Sequence, residues 1–261
     1  MNRMNIYSTV LFFCIFFMAC SGSDDIKPEN PEQPEKEWDK TRTAKIEFIS
    51  DLTNKSPYTE SNYSVVASFI ASKNDRHITI LDKANVTFEA TRVNWGAKVA
   101  VLAEKYPVFV PVSKASTEYI GSSVLSVATV PQMEQIVVAK ACRMLPMSVN
   151  IKQGPATKVA LLSFNEESQI NASVSLFKSA HTTSTLVVGT FNRNLVPVLK
   201  TQLGTVLGVD SYNIDIVDNV NVNTEYCVYI FSPPKWKFRD FAETTISGNI
   251  KSLMLQVELL K

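Results

Sequence analysis

The chain has 261 residues, of which 45% are hydrophobic, 20% charged and 10% aromatic, a globular balance that excludes long disorder, collagen and coiled coil. Twenty-six basic side chains stand against 25 acidic ones, and His77 and His181 are the only two histidines. No global field draws nucleic acid to such a chain, and chemistry built on a cluster of imidazoles is excluded by count.

Residues 1–20 read MNRMNIYSTVLFFCIFFMAC. Arg3 supplies a basic start, Val10 to Met18 an unbroken apolar run, and Met18-Ala19-Cys20 a small-residue cleavage site. The run is too short for a stable bilayer anchor and reads as a secretory signal. Phe17-Met18-Ala19-Cys20 resembles the bacterial lipobox, which makes Cys20 the expected lipidated residue. Residues 21–40 hold seven acids, three lysines and three prolines, the composition of an extended, solvated tether. Ser21 to Asp25 also resembles the acidic export signal of surface lipoproteins; simple solvation of the tether explains the same acids equally well. The expected plan is a signal over 1–19, the lipidated cysteine and tether over 20–40, and one domain over 41–261. That domain carries 22 basic and 18 acidic side chains, a net of +4. Cys142 and Cys227 are its only cysteines, enough for one disulfide or for two buried thiols.

Within the domain, Ala44, Ile46 and Phe48 alternate with polar residues as a half-buried strand does. Val66, Phe69 and Ile70, with Lys73 beyond, form a helical stripe. Ile78, Ile80 and the segment to Phe88 read as strands. Trp95, Val99, Leu102 and Tyr106 share one helix face, and Pro107 is expected to stop that helix. Short β-rich runs follow at Val108–Val112, Ser122–Val127, Ile136–Ala139, Met144–Ile151 and Lys158–Ser163. Ile170, Val174 and Phe177 mark a helix, Leu186–Phe191 a buried strand, and Val196–Leu203 a short helix. Tyr226–Ser232, Lys235–Phe241 and Leu253–Leu259 close the chain as strands. Runs of strands with a few helices to cover them suggest sheet on sheet, an α/β sandwich.

Several fragments carry a family resemblance. Leu186-Val187-Val188-Gly189-Thr190-Phe191-Asn192 looks like the strand-end GDFN motif of the endonuclease/exonuclease/phosphatase superfamily, the DNase-I-like fold. Val228-Tyr229-Ile230-Phe231-Ser232, beginning 36 residues after Asn192, resembles its D-Y-I-F strand. Ser247-Gly248-Asn249 before the strand Leu253–Leu259 resembles its final S-D-H and last strand. Trp95 to Pro107, the hairpin with Val124-Leu125-Ser126, and Arg143 fit the middle section. The likeness implies a four-layer α/β/β/α sandwich of two mixed, mostly antiparallel sheets over 41–261.

The resemblance also implies a site, and this chain departs from it. Thr190 stands at the GDFN aspartate, with Asn192 retained; Val228 stands at the D-Y-I-F aspartate, and Gly248-Asn249 at the D-H pair. The earlier histidine of the family falls near Ser163-Phe164-Asn165, its metal-holding glutamate near Leu81-Asp82-Lys83 and its N-terminal asparagine near Asp51. Phosphodiester hydrolysis on this plan needs a metal to offset charge and an imidazole to take the proton of water. The expectation is a degenerate site with no catalytic residue and no cofactor, with Asp51 and Asp82 as the remaining metal candidates. On the alternative reading, a divergent Mg²⁺-dependent phosphodiesterase, nuclease or phosphatase, Asp51, Asp82 and Asn192 do the work.

Lys235-Trp236-Lys237-Phe238-Arg239 interleaves cations with aromatics, so on a strand Lys235, Lys237 and Arg239 share one face. That face reads either as a strip for an anionic ligand or as a solvated edge over core aromatics. His181 reads as a helix-end cation rather than a metal ligand. The functional expectation is an outer-membrane lipoprotein of the cell envelope, facing the cell surface. It is held to the membrane by its lipid, and its domain binds an extracellular ligand, a glycan or polymer, or an outer-membrane complex.

Overall fold

The computed structural model describes residues 38–51, 63–82, 86–87, 95–114, 118–126, 134–208, 213–217 and 226–261. The signal, Cys20 and the tether up to residue 37 lie outside the described residues, as do Lys83, Phe88, Val127 and the side chains of Asp51 and Trp95.

Two sheets form the middle of the domain. The first has seven strands in the order β12-β13-β1-β2-β5-β3, with β4 also paired to β5. Its members are β1 (Thr43–Asp51), β2 (Ile78–Leu81), β3 (Val86–Thr87), β4 (Tyr106–Lys114), β5 (Glu118–Ser126), β12 (Trp236–Ser247) and β13 (Ile250–Leu259). The second has six, ordered β10-β11-β9-β8-β7-β6: β6 (Ile136–Val137), β7 (Arg143–Asn150), β8 (Ala156–Leu161), β9 (Leu186–Asn192), β10 (Asn213–Val217) and β11 (Tyr226–Ser232). β1 and β2 run parallel, as do β8 and β9, and the other pairings are antiparallel.

Period-2 alternation assigns the layers. Ile46 and Phe48 of β1, Val188 of β9, Ile230 of β11 and Val257 of β13 meet in a core between the sheets. The intervening residues face the helices. Ile49, Leu81 and Leu125 pack under α1 (Tyr63–Ala71) and α2 (Trp95–Leu102). Val187, Phe191, Tyr229 and Phe231 pack under α3 (Glu167–Thr182) and α4 (Val196–Leu207). Because both faces of β9 are covered, Leu186–Phe191 is buried at every position. The result is the expected α/β/β/α sandwich, with the GTFN strand inside its sheet and β13 in the same core as β1.

Gln169 ties the helical layer down. Its Oε1 accepts the Asn165 and Glu166 backbone N–H groups at 2.6 and 3.3 Å, capping α3, while its Nε2 donates to the Val112 carbonyl of β4 at 2.7 Å. Three expectations need correction. The helix from Trp95 ends at Leu102, where Glu104 takes a left-handed φ of 54°. Tyr106 and Pro107 instead open β4, which pairs with β5 alone, and a proline is tolerated on such an edge. β10 was not expected, although Ile214 and Ile216 alternate with Asn213 and Asp215; five residues, two of them poor strand formers, give a weak strand signal. Cys142 and Cys227 are free, buried thiols. Burial and the nearby Glu166 charge push Cys142 up to about 12, so it stays protonated and unreactive.

Candidate functional site

The parallel register of β1 and β2, Ile46 opposite Ile78 and Ile49 opposite Leu81, brings their C-terminal ends to one end of the sandwich. The C-terminal end of β9 and the start of β11 reach the same end, since Tyr226 pairs with Asn192 and Val228 with Thr190. A cleft opens there between the sheets. Phe48, Ser50 and Asp82 line it from the first sheet, Thr190, Tyr226 and Val228 from the second. Glu243 of β12 and Leu253 of β13 complete it on one side. Asp82 has the parity of Ile80, the residue that faces the inter-sheet core, and so enters the cleft; Thr190 has the parity of Val188 and enters from the other side.

The two meet. Thr190 Oγ1 donates to Asp82 Oδ1 at 2.9 Å, and Ser122 Oγ donates to the same oxygen at 3.2 Å. The Thr190 backbone N–H donates to Ser163 Oγ at 3.1 Å, and the Ser163 and Thr190 hydroxyls lie 3.3 Å apart. Asp82 is only 5% exposed, and its own N–H donates to the Ile49 carbonyl at 2.9 Å. A buried carboxylate is tolerable when such donors surround it. One acid and three hydroxyls from four elements thus stitch the sheets together at the mouth of the core. Ser163 falls where the family resemblance placed a histidine, and Thr190 where it placed an aspartate.

The remaining expected site residues lie elsewhere or carry no polar group. Val228 lines the cleft as an apolar wall. Asn192 accepts the Asn194 N–H at 3.0 Å and caps the 3₁₀ turn Arg193–Leu195, and it is absent from the lining. Gly248 and Asn249 are exposed at the tip of the β12–β13 hairpin, with Gly248 at a φ of 52°. Asn249 is four residues beyond Leu253, roughly 13 Å along the strand, so the hairpin overshoots the cleft. Asp51 ends β1 opposite Ile250, one residue past the cleft-lining Ser50. Among the expected site residues whose side chains are described, Asp82 and Thr190 are the pair in contact. Ser122 and Glu243 were missed, and Ser163 was located only as the place of an absent histidine, not as a hydrogen-bonding partner. They are ordinary residues distant in sequence, and only strand parity could have singled them out.

Beneath the cleft Gly189 is a steric necessity. A Cβ there would sit 1.9 Å from the Leu162 carbonyl oxygen and 3.1 Å from the Tyr229 ring. Tyr229 in turn donates to that carbonyl at 2.5 Å, and burial raises its phenol well above the usual range.

A Mg²⁺ centre of the kind the resemblance implies needs carboxylate oxygens turned to the ion and its waters. Asp82 Oδ1 is committed to two hydroxyls, and much of the wall between Asp82 and Glu243 is Phe48, Val228 and Leu253. Among the described residues no three of His, Cys, Asp or Glu gather closely enough to hold a metal. Neither histidine belongs to the cleft: His77 precedes β2 at its far end, and His181 lies in the last turn of α3. The donors described at the cleft, Asp51's side chain not being among them, do not by themselves make up a metal-dependent hydrolytic centre.

The cationic pentapeptide resolves along its alternation. Trp236 is 2% exposed and Phe238 packs on the inter-sheet core. Arg239 donates from Nε to Glu258 Oε2 at 2.7 Å, and its Nη2 bonds the same oxygen. Lys235 and Lys237 are exposed, with Lys235 one residue before β12.

No protein-family model matches the chain, and no curated protein matches it in sequence. Solved structures do match in fold. One is an endonuclease/exonuclease/phosphatase family protein from Leptotrichia buccalis C-1013-b, with a TM-score of 0.56 at 12% identity, covering 83% of this chain and 100% of that one. Another is ANGEL2, a 2',3'-cyclic phosphatase, in complex with adenosine-2',3'-vanadate, with a TM-score of 0.52 at 11% identity over 86% of this chain and 99% of that one. ANGEL2 without that ligand matches at 0.52 and 10% identity, over 83% of this chain and 95% of that one. At such identities the likeness speaks to architecture, and it agrees with the strand order and layers above: the domain has the DNase-I-like α/β-sandwich fold of the endonuclease/exonuclease/phosphatase proteins.

Proposed function

We propose that this chain is a membrane-anchored, surface-facing bacterial lipoprotein whose DNase-I-like domain has lost catalysis and serves as a binding or scaffold module, with a glycan or polymer as the favoured ligand class. The observation that carries the loss of catalysis is the Thr190–Asp82 contact. Where the resemblance calls for an acid beside a metal-holding carboxylate, a hydroxyl donates into that carboxylate and closes it. Val228 puts a hydrocarbon wall where a further acid is called for, and Ser163 a hydroxyl where an imidazole is called for. A general base alone is worth roughly 10²–10⁴-fold in rate, and members of such a unit fail together rather than additively.

The rival is a divergent Mg²⁺-dependent phosphodiesterase or phosphatase, and the observation in its favour is that Asp82 and Glu243 line one cleft. Calorimetric titration with Mg²⁺ and Mn²⁺, run beside hydrolysis of DNA, RNA and a 2',3'-cyclic nucleotide, separates the two. The expected result is neither a saturable heat nor metal-dependent turnover. A Mg²⁺-dependent activity that disappears in Asp82→Ala establishes the rival instead.

A further inference from the structure

The end of the sandwich opposite the cleft is built from four chain segments sewn around one side chain. Arg42 donates from Nε to the Leu259 carbonyl at 2.9 Å, from Nη2 to the Leu260 carbonyl at 3.1 Å and from Nη1 to the Gln153 carbonyl at 3.3 Å. Gln153 N–H donates to the Thr41 carbonyl at 3.1 Å, and Leu260 N–H to the Lys235 carbonyl at 2.8 Å. Lys40, Lys152, Lys235 and Lys261, one from each segment, are all exposed there.

Little negative charge offsets them. The Asp39 carboxyl is held below its usual range by the Thr41 hydroxyl and N–H, with Lys261 and Arg42 adding to the effect. Glu258 is committed to Arg239 and to the Asp39 N–H. Counting described side chains, Lys40, Arg42, Lys152, Lys235 and Lys261 stand against Asp39, a local net of +4. The whole of 41–261 also nets +4, so the rest of the domain, the cleft end included, sums to about zero. The excess is concentrated on the one end at which the chain enters from residue 37.

We infer that this basal face is a docking surface for an anionic membrane, seated on headgroup phosphates by Lys40, Lys152, Lys235 and Lys261. Nine residues of β1 separate the two ends, about 30 Å, so a domain seated this way turns its cleft away from the bilayer. The orientation deepens the lipoprotein reading and rests on it for biological meaning. The docking itself needs no lipid anchor, so the two fail separately.

The test uses residues 38–261, the compact unit that contains every described strand and all three apolar clusters. It is sedimented with phosphatidylcholine vesicles, with and without roughly one third phosphatidylglycerol. Binding is expected to the anionic vesicles alone and to vanish at high salt. Each basic side chain near such a surface contributes about fivefold in affinity, so the combined Lys40→Glu, Lys152→Glu, Lys235→Glu, Lys261→Glu variant is expected to lose binding entirely. Lys140→Glu with Lys200→Glu, exposed lysines outside this face, is expected to bind as the parent does. Melting curves that match the parent's exclude misfolding. Binding to both vesicle types alike, to neither, or undiminished in the four-lysine variant overturns the inference. A full-length Cys20→Ala protein that stays with membranes after carbonate washing would instead overturn the lipid-anchor reading, and leaves the vesicle result standing.

Discussion

The two ends of this sandwich handle polar groups in opposite ways. At the basal end a single guanidinium satisfies three carbonyls, one from the β7–β8 loop and two from the end of β13 and the residue after it, and cations remain outside in water. At the cleft end a carboxylate is drawn inside and satisfied by hydroxyls from the facing sheet and its own. The first arrangement closes the domain and leaves charge for the surface. The second ties the two sheets to each other at the mouth of the core. The lesson is that one sandwich can keep charge outside at one end and draw it inside at the other, where donors from both sheets meet it.

The strand that runs between the ends gives the largest expected effect. Gly189→Ala puts a methyl 1.9 Å from the Leu162 carbonyl, an atom fixed by the Tyr229 phenol and by its strand neighbours. A backbone oxygen cannot swing away as a side chain can, so a loss above about 4 kcal/mol is expected. The variant should fail to show a cooperative melt. A parent-like melting curve would mean that Leu162 does not pass over β9 as described.

Arg42→Ala should come next. It removes three hydrogen bonds made by a charged group and leaves the Leu259, Leu260 and Gln153 carbonyls to water, at an expected cost of about 2–4 kcal/mol in urea unfolding. Arg42→Lys should recover only part of this, because an ammonium lacks the planar fork that reaches carbonyls of two segments at once. Full recovery by lysine would show that charge, rather than geometry, holds the basal end.

Thr190→Val tests the cleft end directly. It keeps the shape and removes the hydroxyl that donates to Asp82 at 2.9 Å, leaving Ser122 as the remaining described donor to that oxygen. The expected cost is about 1–3 kcal/mol, the range for under-satisfying a buried polar group. Thr190→Asp places a second carboxylate against Asp82 and should destabilise further, with partial rescue by millimolar Mg²⁺ only if the rival enzymatic reading is correct. A neutral Thr190→Val would remove the stitch from the account of this cleft.

Much of the fold was legible because its signals are local. Leu186–Phe191 is an apolar run bounded by polar residues, and the alternations in β1 and β13 mark the inner face one residue at a time. Pro107 misled because the rule that proline ends helices says nothing about an edge strand that tolerates it. The site was legible only in part. Asp82 and Thr190 stand at strand ends that a motif can locate, whereas Ser122, Ser163 and Glu243 are brought in by register between strands far apart in sequence. Gly248 and Asn249 matched a motif in order, yet the long β12–β13 hairpin carries them past the cleft, a matter of strand length that local pattern does not encode.

The smallest expected effect is a pH dependence seated at the basal end of β2. His77 accepts the Lys45 backbone N–H on Nδ1 at 3.0 Å, and the His77 backbone N–H donates to the Lys45 carbonyl at 3.0 Å. Only an unprotonated Nδ1 can accept. Burial, joined by the Lys45 charge and opposed by Asp75, lowers the imidazole below its ordinary value of about 6.5. With the folded value depressed, the unfolded chain takes up the proton first as pH falls. The contribution is therefore fully present above about pH 6.5 and is lost progressively below it. Melting temperature is expected to fall between about pH 7.5 and 5.5 by more in the parent than in His77→Asn, whose Oδ1 can accept the same N–H without titrating. The groups outside this contact are common to both proteins, so the difference between the two slopes isolates His77. Parallel slopes would mean that His77 does not titrate against the Lys45 bond.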